Sequence, residues 1–178
     1  MTLRIRPLLA RFWHGQSGSG SLEFVIAFPI FMLLMLSSIE ASFMTLRQVS
    51  LERGLDVAVR DIRLSTATPP THSQIKQRVC DVAGIIPDCV NSVKLEMRPA
   101  ETRNFGGFVA SADCVDRAEE VNPVRQFTPG QDNELMIMRA CVVIDPVFPN
   151  TGLALEMPLD ETGGYKLVSV SAFVQEPR

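Results

Sequence analysis

The sequence predicts an α+β protein. A long N-terminal membrane-spanning helix continues into an amphipathic half and packs on a small antiparallel sheet of about three strands. Three observations lead to this prediction. An apolar run near the N-terminus is long enough to enter a membrane, apolar residues recur at helical spacing after it, and three segments of strand length follow in the second half of the chain.

The first element is the apolar run at residues 24–39, which contains 16 uncharged, mostly apolar residues. At about 1.5 Å per residue it forms roughly 24 Å of helix, so helix continuing to Leu46 would complete a hydrocarbon core of about 30 Å. The segment ahead of the run carries no acidic residue before Glu23 but several arginines, a bias that holds a segment in the cytoplasm. These arginines are Arg4, Arg6 and Arg11.

The apolar run has two simpler interpretations, a cleavable secretory signal and a plain uncleaved anchor. The secretory interpretation is disfavoured, because Glu40 adjoins the small-residue site that cleavage would use and Glu23 interrupts the boundary between the positive and apolar regions. The uncleaved anchor stays open.

The helical pattern persists past the span. Charged residues around the apolar positions are more often a solvated face, with an Asp56 to Arg60 pair, than a surface for a partner. Residues 66–70 end the helix, because they finish in two consecutive prolines that cannot continue its hydrogen bonds. The apolar stripe steps by four, three and four residues, through Leu51, Leu55, Ala58 and Ile62.

A short second helix is predicted after the prolines. Thr71 and Gln74 have the spacing of a capping box, and apolar residues then repeat at helical spacing up to Gly84, which can end the helix. Three strand candidates follow at residues 92–98, 134–144 and 165–175. The second is apolar on both faces apart from Arg139, which predicts a central position in the sheet.

Four cysteines lie beyond the span, where the predicted topology places them in an oxidising compartment. Two disulfides are the natural interpretation, and three connectivities are possible. We favour Cys80 with Cys89 and Cys114 with Cys141, because the first pair closes a short loop that contains a glycine and a proline.

The most specific motif lies at the start of the span. Glu23 places a carboxylate where a helix enters the membrane, which calls for a partner charge or for an enzyme that reads it. Here the chain resembles the TadE/TadF-like minor pseudopilins of tight-adherence (Flp) type IV pilus systems. Prepilins of that class are cut after a glycine and carry a glutamate as the fifth mature residue, often followed by an aromatic residue. A cut after Gly18 makes Ser19 the first mature residue and Glu23 the fifth, with Phe24 next.

The resemblance implies a pilin-like organisation. Residues 1–18 would be a cytoplasmic leader, 19–46 the transmembrane helix, 47–68 its amphipathic extension, and 69–178 a periplasmic, disulfide-bonded α+β domain. Glu40 fits the acidic residue that such proteins tend to carry near the far end of the span. The resemblance extends to the region after Cys80, with residues 113–117 and 133–141.

The function implied by the resemblance is that of an inner-membrane, single-pass minor pseudopilin. It would be processed by a prepilin peptidase and would support the assembly of an adhesion pilus. Its partners would be that peptidase, other pilins or pseudopilins, and the assembly machinery, all meeting the N-terminal helix. The alternative from another class is an uncleaved, membrane-anchored periplasmic binding or sensor module.

Catalytic and ligand-binding patterns are weak in this sequence. His72 is the only histidine beyond the leader, no Cys-x-x-Cys spacing occurs, and no Gly-x-Ser-x-Gly elbow is present. We therefore expect no enzyme activity, metal or cofactor. Loss of the leader arginines would reduce the 17 basic residues to 14 against 20 acidic ones, a net charge of −6. Such a balance argues against nucleic acid as a partner.

Overall fold

The structure is a computed structural model that describes residues 19–64, 70–100, 112, 114–117 and 127–177. It confirms the predicted α+β fold, in which one long N-terminal helix accompanies a three-stranded antiparallel sheet. The elements in chain order are α1 (Ser19–Leu64), α2 (His72–Val82), α3 (Cys89–Ser92), β1 (Val93–Pro99), β2 (Leu135–Ile144), a 3-10 helix (Gly152–Leu155) and β3 (Tyr165–Val174).

Helix α1 contains 46 residues and is about 69 Å long at 1.5 Å per residue. Its N-terminal half is exposed, whereas its C-terminal half packs on α2 and on the sheet. The predicted apolar stripe is confirmed, because all four of its residues are at most 3% exposed. The expected end of the helix at residues 66–70 falls partly outside the described residues, and the described helix ends at Leu64.

Helix α2 begins with the predicted capping box. The Thr71 hydroxyl accepts a hydrogen bond from the Gln74 backbone N–H, and the Gln74 side chain accepts one from the Thr71 N–H at 2.8 Å. The helix ends at Val82, just before Gly84. It crosses α1 at Gly54, where a Cβ atom would lie 2.6 Å from the Val79 carbonyl oxygen. The absence of a side chain at this position therefore permits the close approach of the two helices.

The sheet has the order β1-β2-β3, so the prediction that the apolar second strand is central is confirmed. Helix α1 runs beside β3 and protects this edge strand with polar contacts. Gln48 donates a hydrogen bond from Nε2 to the Val168 carbonyl oxygen at 3.0 Å, and Arg47 donates one to the Tyr165 hydroxyl at 3.0 Å. Alternate residues of all three strands face the helices and form one core with them.

The opposite face of the sheet carries a buried ion pair. Arg139 on β2 lies directly across from Glu96 on β1, and its Nε is 2.6 Å from the Glu96 Oε2. Both residues are 6% exposed. A buried charge is tolerated when it is paired in this way, which accounts for the one charged residue in an otherwise apolar strand.

Two disulfides fasten the C-terminal part of the chain, and both join the cysteines that the sequence favoured. Cys80–Cys89 links α2 to α3 with a Cα–Cα distance of 5.6 Å. Cys114–Cys141 links the connection between β1 and β2 to the central strand, with a Cα–Cα distance of 5.0 Å. Because Cys141 alternates with the core residue Val142, this second bond lies on the sheet face opposite the helices.

Candidate functional site in the N-terminal helix

The proposed processing and assembly motif lies at the N-terminal end of α1. Gly18 is outside the described residues, and Ser19 is the first described residue of the helix. Glu23 follows four residues later, which places it one helical turn from Ser19 on the same face. Phe24 is 62% exposed, and its ring stacks on Phe28 with 5.1 Å between the ring centroids. The first turns of α1 thus present a carboxylate and an aromatic pair on an exposed helix.

The helix around this motif is apolar on every side. A window of 18 residues has a mean hydropathy of 2.2, and none of it is buried within the protein. This is the one helix in the described part of the chain that is long and apolar enough to cross a membrane. A helix that is apolar all round requires lipid or other helices as its surroundings. Its exposed large side chains include Leu22, Val25, Ile26, Ile30, Phe31, Leu33 and Leu34.

Glu40 is the second acidic residue of α1, after Glu23, and it is only 1% exposed. Its two carboxylate oxygens accept hydrogen bonds from the backbone N–H groups of Val147 at 3.1 Å and Phe148 at 2.9 Å. Both donors belong to the connection between β2 and β3. The family resemblance accounted for an acidic residue near the far end of the span, but the sequence did not predict its hydrogen-bond partners. The carboxylate itself was the sequence feature that could have indicated such partners, because a buried carboxylate requires hydrogen-bond donors.

The connection between β2 and β3 continues along α1 beyond Glu40. Gly152 has a φ of +51° and lies against Ser37, and a Cβ atom at this position would lie 3.6 Å from the Leu33 carbonyl oxygen. A side chain at this position would be strained and would collide with Ser37. Gly152 therefore brings the 3-10 helix into direct contact with the apolar half of α1.

His72 is the one histidine among the described residues, and its contacts are those of a packed side chain. Its ring meets the ring of Phe127 edge-on, with 4.9 Å between the centroids. Burial lowers the pKa of His72 below the ordinary value, and a hydrogen bond to the backbone of Leu95 partly opposes this effect. Within the described ranges, no group of three or more histidine, cysteine or acidic side chains is arranged to hold a metal ion.

These features define a class of protein: a chain with an apolar helix suited to a membrane anchor, joined to a disulfide-bonded α+β unit. Residues 18–60 match the model of a family described as TadE-like protein. The predicted resemblance is thereby confirmed for the N-terminal helix, which is the part that the match covers. The match covers 43 of the 178 residues of the chain. No curated protein and no solved structure matches the chain.

Proposed function

We propose that this protein is a minor pseudopilin of a tight-adherence pilus system, cut by a prepilin peptidase between Gly18 and Ser19. The observation that carries the proposal is the register of the motif on the helix. The family match starts at Gly18, and Glu23 lies one turn into an exposed apolar helix that this match covers. In this proposal the N-terminus lies in the cytoplasm, α1 crosses the inner membrane, and the disulfide-bonded part lies in the periplasm.

Cleavage gives Glu23 a function in assembly. The cut creates a positively charged amine on Ser19 at the end of a helix that lies among lipids and other apolar helices. An isolated charge in that environment is strongly unfavourable, so an amine and a carboxylate at the same depth stabilise each other. Glu23 pairs with the Ser19 amine of a neighbouring subunit or of its own chain. The apolar surface of α1 supplies the packing against other pilus subunits and the assembly machinery.

The first experiment tests the cleaved bond. Intact mass and N-terminal sequencing of the protein from membranes of the native host should give a mature chain that starts at Ser19. Gly18→Leu should block processing, because a side chain obstructs the peptidase at the bond. Gly15→Leu is the matched control, since a cut after Gly15 does not leave Glu23 as the fifth residue. An intact chain from Met1 in peptidase-competent cells would support the uncleaved sensor module. A chain from Ser42, which follows the small-residue site at residues 39–41, would support a secretory signal.

The second experiment separates cleavage from assembly. Glu23→Ala removes the partner of the new amine but leaves Gly18 in place, so processing should continue while piliation fails. Glu161→Ala, which removes an exposed acidic side chain elsewhere, should leave both unchanged. Normal pilus-dependent adhesion by the Glu23→Ala strain would rule out this role for the carboxylate.

A further inference from the structure

The connection between β2 and β3 follows α1 toward the apolar end of the helix. It starts beside Arg47, whose guanidinium donates a hydrogen bond to the Asp145 carbonyl oxygen at 3.3 Å. It then passes Glu40 and reaches Ser37 and Leu33 through Gly152. From residue 47 to residue 33 a helix rises about 21 Å. The connection therefore descends along the part of α1 where the apolar span lies.

The depth of this descent can be compared with the thickness of a bilayer. A hydrocarbon core of about 30 Å covers about 20 helical residues, so a span that begins at residue 24 ends near residue 44. A span that begins at residue 20 ends near residue 40. In both cases the contacts of Gly152 with residues 33 and 37 lie roughly 5 to 16 Å inside the hydrocarbon. A tilted helix needs more residues to cross and would bury these contacts further.

The composition of the connection suits this depth. Residues 146–159 contain one charged side chain, Glu156, among 14 residues. Apolar side chains project from the same segment into open surroundings, because Leu155 is 66% exposed, Val147 39% and Leu159 37%. Exposed apolar side chains on an irregular segment beside a membrane-spanning helix are typical of a segment that enters the bilayer interface.

The backbone of the connection meets part of what an apolar environment requires, since unpaired N–H groups are unfavourable there. Three of its 14 residues are prolines, which have no N–H group. Of the 11 residues that have an N–H group, five donate backbone hydrogen bonds: Val147 and Phe148 to Glu40, Thr151 to Phe148, Ala154 to Thr151, and Glu156 to Leu153.

We propose that residues 146–159 insert into the lipid leaflet on the C-terminal side of the membrane-spanning helix. Val147, Leu155 and Leu159 contact lipid acyl chains, and Glu40 holds the segment against the helix. This second contact fixes the height and the rotation of the sheet relative to the bilayer. The proposal depends on α1 being a membrane anchor and is independent of the cleavage and pilus assembly proposed above.

Depth-dependent fluorescence quenching tests the proposal on the full chain. The sequence has one tryptophan, Trp13, so Trp13→Phe gives a background without tryptophan. Leu155→Trp then places a probe on the inserted segment, and Val170→Trp places a control on β3, where Val170 is 57% exposed. Each variant is reconstituted into phosphatidylethanolamine and phosphatidylglycerol vesicles that contain acyl-brominated lipid. Leu159→Trp serves as a second probe if Leu155→Trp does not fold.

The expected result is blue-shifted emission of the Leu155→Trp probe. Its quenching by bromine should be at least about twofold stronger than that of the Val170→Trp control, since interfacial segments lie roughly 5–10 Å into the bilayer boundary. Equal, weak quenching of both probes would overturn the proposal. Blue-shifted emission without quenching would overturn it as well, because it would show that protein covers the segment instead of lipid.

Discussion

At the scale of single residues, Glu40 shows how an acidic side chain is accommodated in an apolar helix. A carboxylate that leaves water without hydrogen bonds destabilises the folded state by several kcal/mol. Here two backbone N–H groups reach the two oxygens of one side chain, at 3.1 and 2.9 Å. The same contact provides hydrogen-bond acceptors for two backbone N–H groups in a part of the chain without regular secondary structure. Glu40 therefore couples the helix to a segment more than 100 residues away in the sequence.

Removing this carboxylate should detach the connection between β2 and β3 from the helix. Glu40→Ala leaves the N–H groups of Val147 and Phe148 without their acceptor, at about 1–3 kcal/mol for each buried group that stays unpaired. Glu40→Gln keeps one acceptor oxygen, so it should lower the free energy of unfolding less. Denaturant unfolding of the full chain in detergent micelles measures both effects. Glu156→Ala, on the exposed side of the same connection, is the control, and equal stability of all variants would contradict the coupling.

At the scale of elements, the contact between α1 and α2 depends on a glycine. A Cβ atom on Gly54 would lie 2.6 Å from the Val79 carbonyl oxygen and 3.2 Å from the Ala83 Cβ. Neither neighbour is the mobile end of a long side chain, so the two helices would have to separate. The Leu51 and Leu55 side chains beside this contact are fully buried and would lose part of their packing.

Gly54→Ala should therefore destabilise the protein even though alanine favours helix. The propensity gain is about 1 kcal/mol, whereas overpacking costs about 1–3 kcal/mol, and the backbone contact here favours the upper end. Thermal unfolding followed by circular dichroism should show a lower midpoint. Gly84→Ala is the matched control, because nothing lies within 4 Å of its Cβ position. A Gly54→Ala midpoint at or above that of the control would refute this account of the crossing.

The elements that could be predicted from the sequence are those with a local pattern. The capping box of Thr71, the stripe on α1 and the three strands all follow from residue spacing, and each strand lies within one residue of its predicted bounds. The 3-10 helix, α3 and the contact of Glu40 had no such pattern. Contacts of this kind depend on where distant segments meet in space, which the spacing of neighbouring residues does not specify.

At the scale of the whole molecule, the two disulfides constrain the chain over different lengths. Cys80 and Cys89 are 9 residues apart and join elements that already neighbour each other in sequence. Cys114 and Cys141 are 27 residues apart and hold the connection between β1 and β2 on the face of the sheet that faces away from α1. The buried pair of Glu96 and Arg139 lies on the same face. The longer bridge thus stabilises the side of the sheet that no helix covers within the described residues.

Loss of the longer bridge should therefore damage the protein more than loss of the shorter one. Loop-closure entropy alone makes the 27-residue bridge more stabilising by about 1 kcal/mol than the 9-residue bridge. Cys141→Ser also places a hydroxyl at a position that is 1% exposed, whereas Cys89 is 9% exposed. The level of Cys141→Ser in membranes should fall below that of Cys89→Ser, each compared with the unaltered chain by quantitative immunoblot. Thiol labelling of the denatured, unreduced wild type should find no free cysteine, and two reactive thiols per chain would contradict both the pairing and the oxidising compartment.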